Sequence, residues 1–110
     1  MTEAEDIKSL IARIRAFGWH EKKREANLRA HGIDFADVKG IFDGYTFIRR
    51  SDRHGEIRYQ VFGYVHDQEV AVAFTVRDDV CRIISARRAR KDERRRYYDR
   101  LAGRSPAGKD

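Results

Sequence analysis

The spacing of the apolar residues changes near Gly44, and this change constrains the fold more than any other feature of the sequence. Upstream, apolar residues recur every three or four positions, which predicts helices over about residues 2–15, 21–32 and 35–42. Downstream, apolar and polar residues alternate with a period of two, and short polar turns separate the segments. Closely spaced strands with such short connections favour an antiparallel meander.

Residues that typically begin or end helices and strands agree with this division. Thr2 and Asp34 are placed to cap helices at their N-termini, and Gly32 to end one in a left-handed conformation. "FGW" at 17–19 interrupts the helical period and predicts a short edge strand. A last helix is expected over about residues 91–102, packing through Tyr97, Tyr98 and Leu101. The predicted class is α+β, with N-terminal helices packed on one antiparallel sheet that is followed by a C-terminal helix.

Positive charge is concentrated at the C-terminal end of the chain. Residues 82–110 carry 11 Lys and Arg against 4 Asp and Glu, whereas residues 1–81 carry 13 against 14. Most of these cations are arginines, whose planar guanidinium group matches phosphate and carboxylate geometry. The sequence therefore predicts a surface for a phosphate polymer or an acidic protein, the alternative being a solvated basic helix.

Several common functions lack their residues. Cys81 has no partner for a disulfide, and His20, His31, His54 and His66 do not have the spacing of metal ligands. Gly-rich phosphate loops and serine nucleophile motifs are missing too. Neither a membrane span nor a signal peptide is recognisable, so we expect a cytoplasmic protein that uses no metal or cofactor.

The strand "CRIISAR" is the strongest candidate for a functional element. Simple alternation places Arg82, Ile84 and Ala86 on one face and Ile83, Ser85 and Arg87 on the other. Arginines held on a rigid strand suit phosphate recognition, and Arg58 from a neighbouring strand can join one of them. Salt bridges to acidic residues of the nearby turns are the structural alternative.

Two motifs, "EANLRAHGIDFADV" and "RIISARRARKDERRRYY", resemble the BrnT family of type II toxins over about residues 17–100. The resemblance implies a RelE-like fold, cleavage of mRNA, and a BrnA-like antitoxin of ribbon-helix-helix type that alone contacts operator DNA. It divides the chain into an N-terminal helical extension (1–16), a BrnT-like toxin domain (17–102) and a disordered tail (103–110). His20 and Arg90 stand where the family usually has Asp and Thr, which are better helix caps.

The resemblance and the arginine pattern together give the candidate residues. Arg58, Arg82, Arg87 and Arg88 are expected to stabilise charge on a phosphate, since arginine stays protonated and makes a poor base. His31 has the titration range of a proton-transfer group, although bonding the carbonyls at its helix end explains it equally well. Tyr97 is a candidate acid or stacking residue, with packing as its alternative. RNA contacts are expected from Ser85, Arg88, Glu93 and Arg94, with Glu93 orienting an arginine.

Two other functions fit the same residues. The basic segment could dock an acidic partner or nucleic acid without cleaving it. An inactive toxin could also persist as a co-repressor that acts with its antitoxin.

Overall fold

The computed structural model describes residues 3–44 and 46–103. Its helices are α1 (Glu3–Ala12), α2 (Glu21–His31) and α3 (Lys91–Gly103), with two short 3₁₀ helices at Phe35–Asp37 and Lys39–Asp43. Its strands are β1 (Ala16–Trp19), β2 (Phe47–Arg50), β3 (Tyr59–Val65), β4 (Gln68–Arg77) and β5 (Val80–Arg88). Gly103, predicted as the first residue of the disordered tail, is the last residue of α3. The N-terminal cap predicted at Thr2 and the rest of that tail, from residue 104 onward, lie outside the described residues.

The five strands form one mixed sheet in the order β1-β5-β4-β3-β2. From β2 to β5 neighbouring strands are antiparallel, as the short turns predicted. β1 is an edge strand, also as predicted, but it runs parallel to β5. The prediction of a purely antiparallel sheet was therefore wrong, because nothing in the local spacing of "FGW" says which distant strand it will pair with. The α+β class is confirmed, and the closer likeness to the RelE fold stays a prediction.

The segment predicted as a third α-helix forms the two 3₁₀ helices instead. Asp34 caps the first of them as predicted, accepting a hydrogen bond from the backbone N–H of Ala36. Phe35, Val38 and Ile41 are buried at intervals of three residues. A 3₁₀ helix has three residues per turn, so this spacing aligns the three side chains along one side of it.

The main core lies between these N-terminal elements and one face of the sheet. Its strand residues include Val61, Val72, Phe74 and Ile83, all buried, and Ile11 and Ile14 pack against its margin. The predicted alternation of β3 is confirmed, because Val61 and Val65 belong to this core while Phe62 belongs to a second cluster on the other face.

α3 covers part of that second face through Tyr97, which is 7% exposed and packs with Phe62 and Ala71. Tyr98 and Leu101, predicted to pack as well, are 42% and 41% exposed. Among the aromatic and aliphatic residues of α3, only Tyr97 is buried against this face.

Asn27 joins α2 to the sheet at the position where β1 ends. β1 pairs with β5 only as far as Ile83. Beyond that point the Asn27 side chain accepts a hydrogen bond from the Ala86 N–H (3.1 Å) and donates to the Ala86 carbonyl (2.8 Å) and the Ile33 carbonyl (3.0 Å). The amide replaces a neighbouring strand and satisfies buried backbone groups that would otherwise lack partners.

α2 ends as predicted. Gly32 has a φ of 72°, and its N–H donates to the Leu28 carbonyl. Ile33, the next residue, is buried. This is the left-handed ending that glycine adopts without the steric cost of a side chain.

Candidate nucleic-acid interface

A β-bulge divides β5 into two halves. Ile83 lies opposite Phe74, and Ser85 lies opposite Ala73, the preceding residue of β4. Ile84 therefore has no partner on β4. An extra residue of this kind shifts the alternation of all side chains that follow it on the same strand.

The shift brings two arginines to one face of the sheet. Arg82 lies opposite Thr75 and Arg87 opposite Ala71. Thr75 and Ala71 are four residues apart on a strand without a bulge, so they share a face, and directly opposed residues share a face as well. The predicted alternation, which put Arg82 and Arg87 on opposite faces, was wrong because it assumed a regular strand.

Two adjoining cavities lie on this face, and Arg58 and Ile84 line both of them. The first, called here the Arg87 cavity, measures about 220 Å³ and is lined by Ser51, Arg53, Arg58, Tyr59, Gln60, Ala73, Ile84, Ser85, Arg87 and Arg90. The second, the Arg82 cavity, measures about 170 Å³ and is lined by His20, Lys23, Glu56, Arg58, Thr75, Arg82, Ile83 and Ile84. Small side chains at Ala73 and Ser85 leave the central strands open between the surrounding cations.

Glu93 holds the arginines at one side of the Arg87 cavity. It is 3% exposed and accepts two hydrogen bonds of 2.8 Å from Arg87, one at each oxygen. Arg49 and Arg90 lie 3.7 Å and 3.9 Å from the same carboxylate. The hydrogen bond from Arg87 is the main reason why the pKa of Glu93 falls to about 2. One carboxylate thus faces three guanidinium groups, and the group of four keeps a net positive charge.

Glu93 also caps the N-terminus of α3. Its Oε1 accepts a hydrogen bond of 2.8 Å from the backbone N–H of Arg90, the residue before α3. A glutamate at this position commonly reaches back to the start of its helix. The first turn of α3 is thereby held although Arg90 stands where the family resemblance places a threonine.

On the same face of the sheet, Arg58 is oriented by the carboxylate of Glu56. Its Nε donates to Glu56 Oε1 at 2.8 Å, and Arg77 Nη2 donates to Glu56 Oε2 at 3.0 Å. The hydrogen bond from Arg58 is the largest cause that lowers the pKa of Glu56. Arg58 therefore reaches the point where the two cavities meet with its guanidinium group fixed by an ion pair.

Arg82 and Arg53 differ from these. Among the residues that the structure describes, no carboxylate forms an ion pair with either side chain. Each cavity therefore contains an arginine that forms no ion pair with a described carboxylate, which favours an anionic ligand.

The residues predicted for the site divide into two groups. Arg58, Arg82, Ser85 and Arg87 line the cavities, and Glu93 lies directly behind Arg87. Arg88, His31, Tyr97 and Arg94 line neither cavity.

Each member of the second group has a definite position elsewhere. Arg88 pairs with the core residue Val70 and so points to the opposite face of β5. His31 ends α2, about 16 Å along the helix axis from His20. Tyr97 is buried, and Arg94 donates to the Ala89 carbonyl and lies 3.8 Å from Glu69. The structural alternatives foreseen for His31 and Tyr97 agree with these positions.

Five of the cavity residues that the sequence did not predict have charged or imidazole side chains: His20, Lys23, Arg53, Glu56 and Arg90. All lie outside the strands, in turns or at helix starts, where hydrophobic periodicity carries no information. One of them could have been found from the sequence. Glu56 stands two positions before Arg58, and residues i and i+2 of an extended segment point to the same side.

Within residues 3–44 and 46–103, no three His, Cys, Asp or Glu side chains come together as metal ligands would. No helix in that part of the chain is long and apolar enough to cross a membrane.

A rigid sheet with arginine-lined cavities on the face away from its core is suited to hold a phosphate backbone, and comparison with known proteins gives the class as ribonuclease toxins of type II toxin–antitoxin systems. The family described as "Ribonuclease toxin, BrnT, of type II toxin-antitoxin system" matches residues 19–93, which is most of the chain. The chain belongs to the BrnT family.

A solved structure supports the assignment. The Brucella abortus ribonuclease toxin BrnT, determined at 1.1 Å resolution, is 27% identical to this chain with a TM-score of 0.53. The likeness covers 70% of this chain and 100% of the Brucella chain. The comparison with curated proteins found no match. α1 lies before the residues that the family matches.

Proposed function

We propose that this chain is a metal-independent endoribonuclease that cleaves mRNA in the cytoplasm and is neutralised by a BrnA-like antitoxin. The observation that carries the proposal is the bulge at Ile84, which places Arg82 and Arg87 on one face with Arg58 between their cavities. Membership of a family of ribonuclease toxins supports the reaction class.

RNA supplies its own nucleophile for such a reaction. The 2′-hydroxyl attacks the adjacent phosphorus, the bond to the 5′-oxygen breaks, and a 2′,3′-cyclic phosphate results. The protein has to hold the phosphate in line and to stabilise the additional negative charge of the transition state. Arg58, Arg82 and Arg87 are proposed for the charge, and Ser85 is placed to hydrogen-bond the backbone between them.

Arg82 offers the cleanest test, because its removal breaks no described ion pair. If Arg82 stabilises the transition state, Arg82→Ala should lower the cleavage rate by about 30- to 1,000-fold, which corresponds to about 2–4 kcal/mol. The same change at Arg87 would also leave the buried carboxylate of Glu93 without its closest partner and so confuse activity with folding.

The assay is cleavage of a single-stranded RNA by purified protein in the presence of a chelator, with the product ends identified by mass spectrometry. Arg29→Ala is the matched control, since Arg29 is exposed on α2 and lines neither cavity. Absence of cleavage by the wild-type protein would contradict the proposal. A rate unchanged in Arg82→Ala, with RNA affinity reduced and its salt slope smaller by about 0.7, would favour a binding role for this arginine.

The proposed antitoxin partner is argued from charge. A BrnA-like ribbon-helix-helix protein would cover the two cavities with an acidic, partly disordered segment that competes with RNA for the same arginines. Contact with operator DNA would come only through the antitoxin.

A further inference from the structure

His20 occupies a capping position without acting as a cap. It is the residue before α2 and has an extended backbone (φ −90°, ψ 123°), but its side chain makes no capping hydrogen bond. His20 instead lines the Arg82 cavity together with Lys23, Arg58 and Arg82. A side chain at a helix start usually bonds the free N–H groups there. At this position the imidazole is left available to a ligand.

Glu56 lines the same cavity. Both of its oxygens accept hydrogen bonds from arginines, and Arg58 lowers its pKa, so it is ionised at neutral pH. An ionised carboxylate can take up a proton, and a protonated imidazole can give one. The cavity thus contains an acceptor and a donor of protons beside two arginines.

We propose that His20 and Glu56 are the general acid and the general base of RNA cleavage in this chain, an inference that rests on the proposed ribonuclease function. Glu56 takes the proton of the 2′-hydroxyl as its oxygen forms a bond to phosphorus. The bond from phosphorus to the 5′-oxygen breaks, and protonated His20 donates a proton to that oxygen as it leaves. Arg58 and Arg82 hold the phosphate and its added charge.

The charged residues around His20 come from three other parts of the chain. Lys23 from α2, Arg58 from the segment before β3 and Arg82 from β5 are cations, and Glu56 is the anion. Cations therefore outnumber anions in this cavity, which favours binding of a phosphate beside His20.

The test uses one RNA in two forms. The first form has the normal 5′-oxygen at the mapped cleavage site, and the second has sulfur at that bridging position, which leaves as a thiolate without needing a proton. His20→Asn removes the titrating group and supplies a good helix cap, so α2 is retained. We expect this variant to cleave the oxygen form at least about 100-fold more slowly than wild type and the sulfur form at nearly the wild-type rate.

Two further variants complete the experiment. Glu56→Gln should slow both forms, because removal of the 2′-hydroxyl proton precedes either departure. His66→Asn is the matched control: His66 lies in the turn between β3 and β4, where its φ of 50° suits asparagine, and it lines neither cavity. It should cleave both forms within twofold of wild type.

The possible results distinguish the acid role of His20 from the ribonuclease function itself. Equal loss on both forms in His20→Asn, or a rate within threefold of wild type on the oxygen form, would overturn the acid role while cleavage by the wild-type protein keeps the ribonuclease function. Failure of the wild-type protein to cleave either form would overturn the function and this inference with it.

Discussion

Replacing Asn27 by alanine should remove a large share of the stability of this protein. The side chain is 8% exposed and makes three hydrogen bonds, all to backbone groups of Ala86 and Ile33. Both of those residues are buried, so water cannot freely replace the lost partners. The change removes the side-chain partner of the N–H and carbonyl of Ala86 on β5 and of the Ile33 carbonyl after α2.

The magnitude follows from these contacts. Each lost hydrogen bond of this kind costs about 1–1.5 kcal/mol. Alanine regains about 0.5 kcal/mol through its better helix propensity in α2. The free energy of unfolding should therefore fall by about 2.5–4 kcal/mol, and for a chain of this length Tm should fall by about 15 °C.

Urea titrations and thermal melts followed by circular dichroism measure both quantities. Glu25→Ala, an exposed change on the same helix, should alter stability by less than about 0.5 kcal/mol. Asn27→Asp keeps an acceptor for the Ala86 N–H but opposes a carboxylate to two carbonyls, so at pH 7 it should destabilise at least as much as alanine. A loss below about 1 kcal/mol in Asn27→Ala would refute the role of Asn27 as a substitute for a strand.

Two further predictions concern the cation-rich face. Glu93→Gln should lower the free energy of unfolding by about 3 kcal/mol at pH 7, because it removes the buried charge that Arg87 contacts. Since the pKa of Glu93 is about 2 in the folded protein and higher in the unfolded chain, its contribution to stability is complete above about pH 4.5 and is lost as the pH falls toward 2. The urea midpoints of variant and wild type should therefore converge over that range. A constant difference between the midpoints would contradict the ion pair. The antitoxin proposal predicts that Arg82 and Arg87 are covered in the toxin–antitoxin complex, and a complex structure with both side chains open to solvent would disprove it.

The sequence predicted those elements whose signals are local. The left-handed glycine at Gly32, the cap at Asp34, the meander from β2 to β5 and the start of α3 near Lys91 were all found from residue type and spacing. The alternation of side chains between the two faces of β3 was predicted as well, because a period of two is kept along a regular strand.

Features that depend on distant partners were missed. The parallel pairing of β1 with β5 joins segments more than sixty residues apart, and no local pattern encodes it. The bulge at Ile84 depends on the register between β4 and β5, and it reversed the face assigned to Arg87 relative to Arg82. His20 was predicted only as a poor cap, because a sequence does not show which cavity the residue at a helix start will line.

The arrangement at Ile84 has a consequence for variation in this protein. A substitution on β5 leaves the register of the strand unchanged, but the number of residues between Arg82 and Arg87 determines the face of the sheet to which each of them points. Loss or gain of a single codon there would separate the guanidinium groups while leaving the composition of the strand almost unchanged. Chain length in this segment is thus a functional property in its own right.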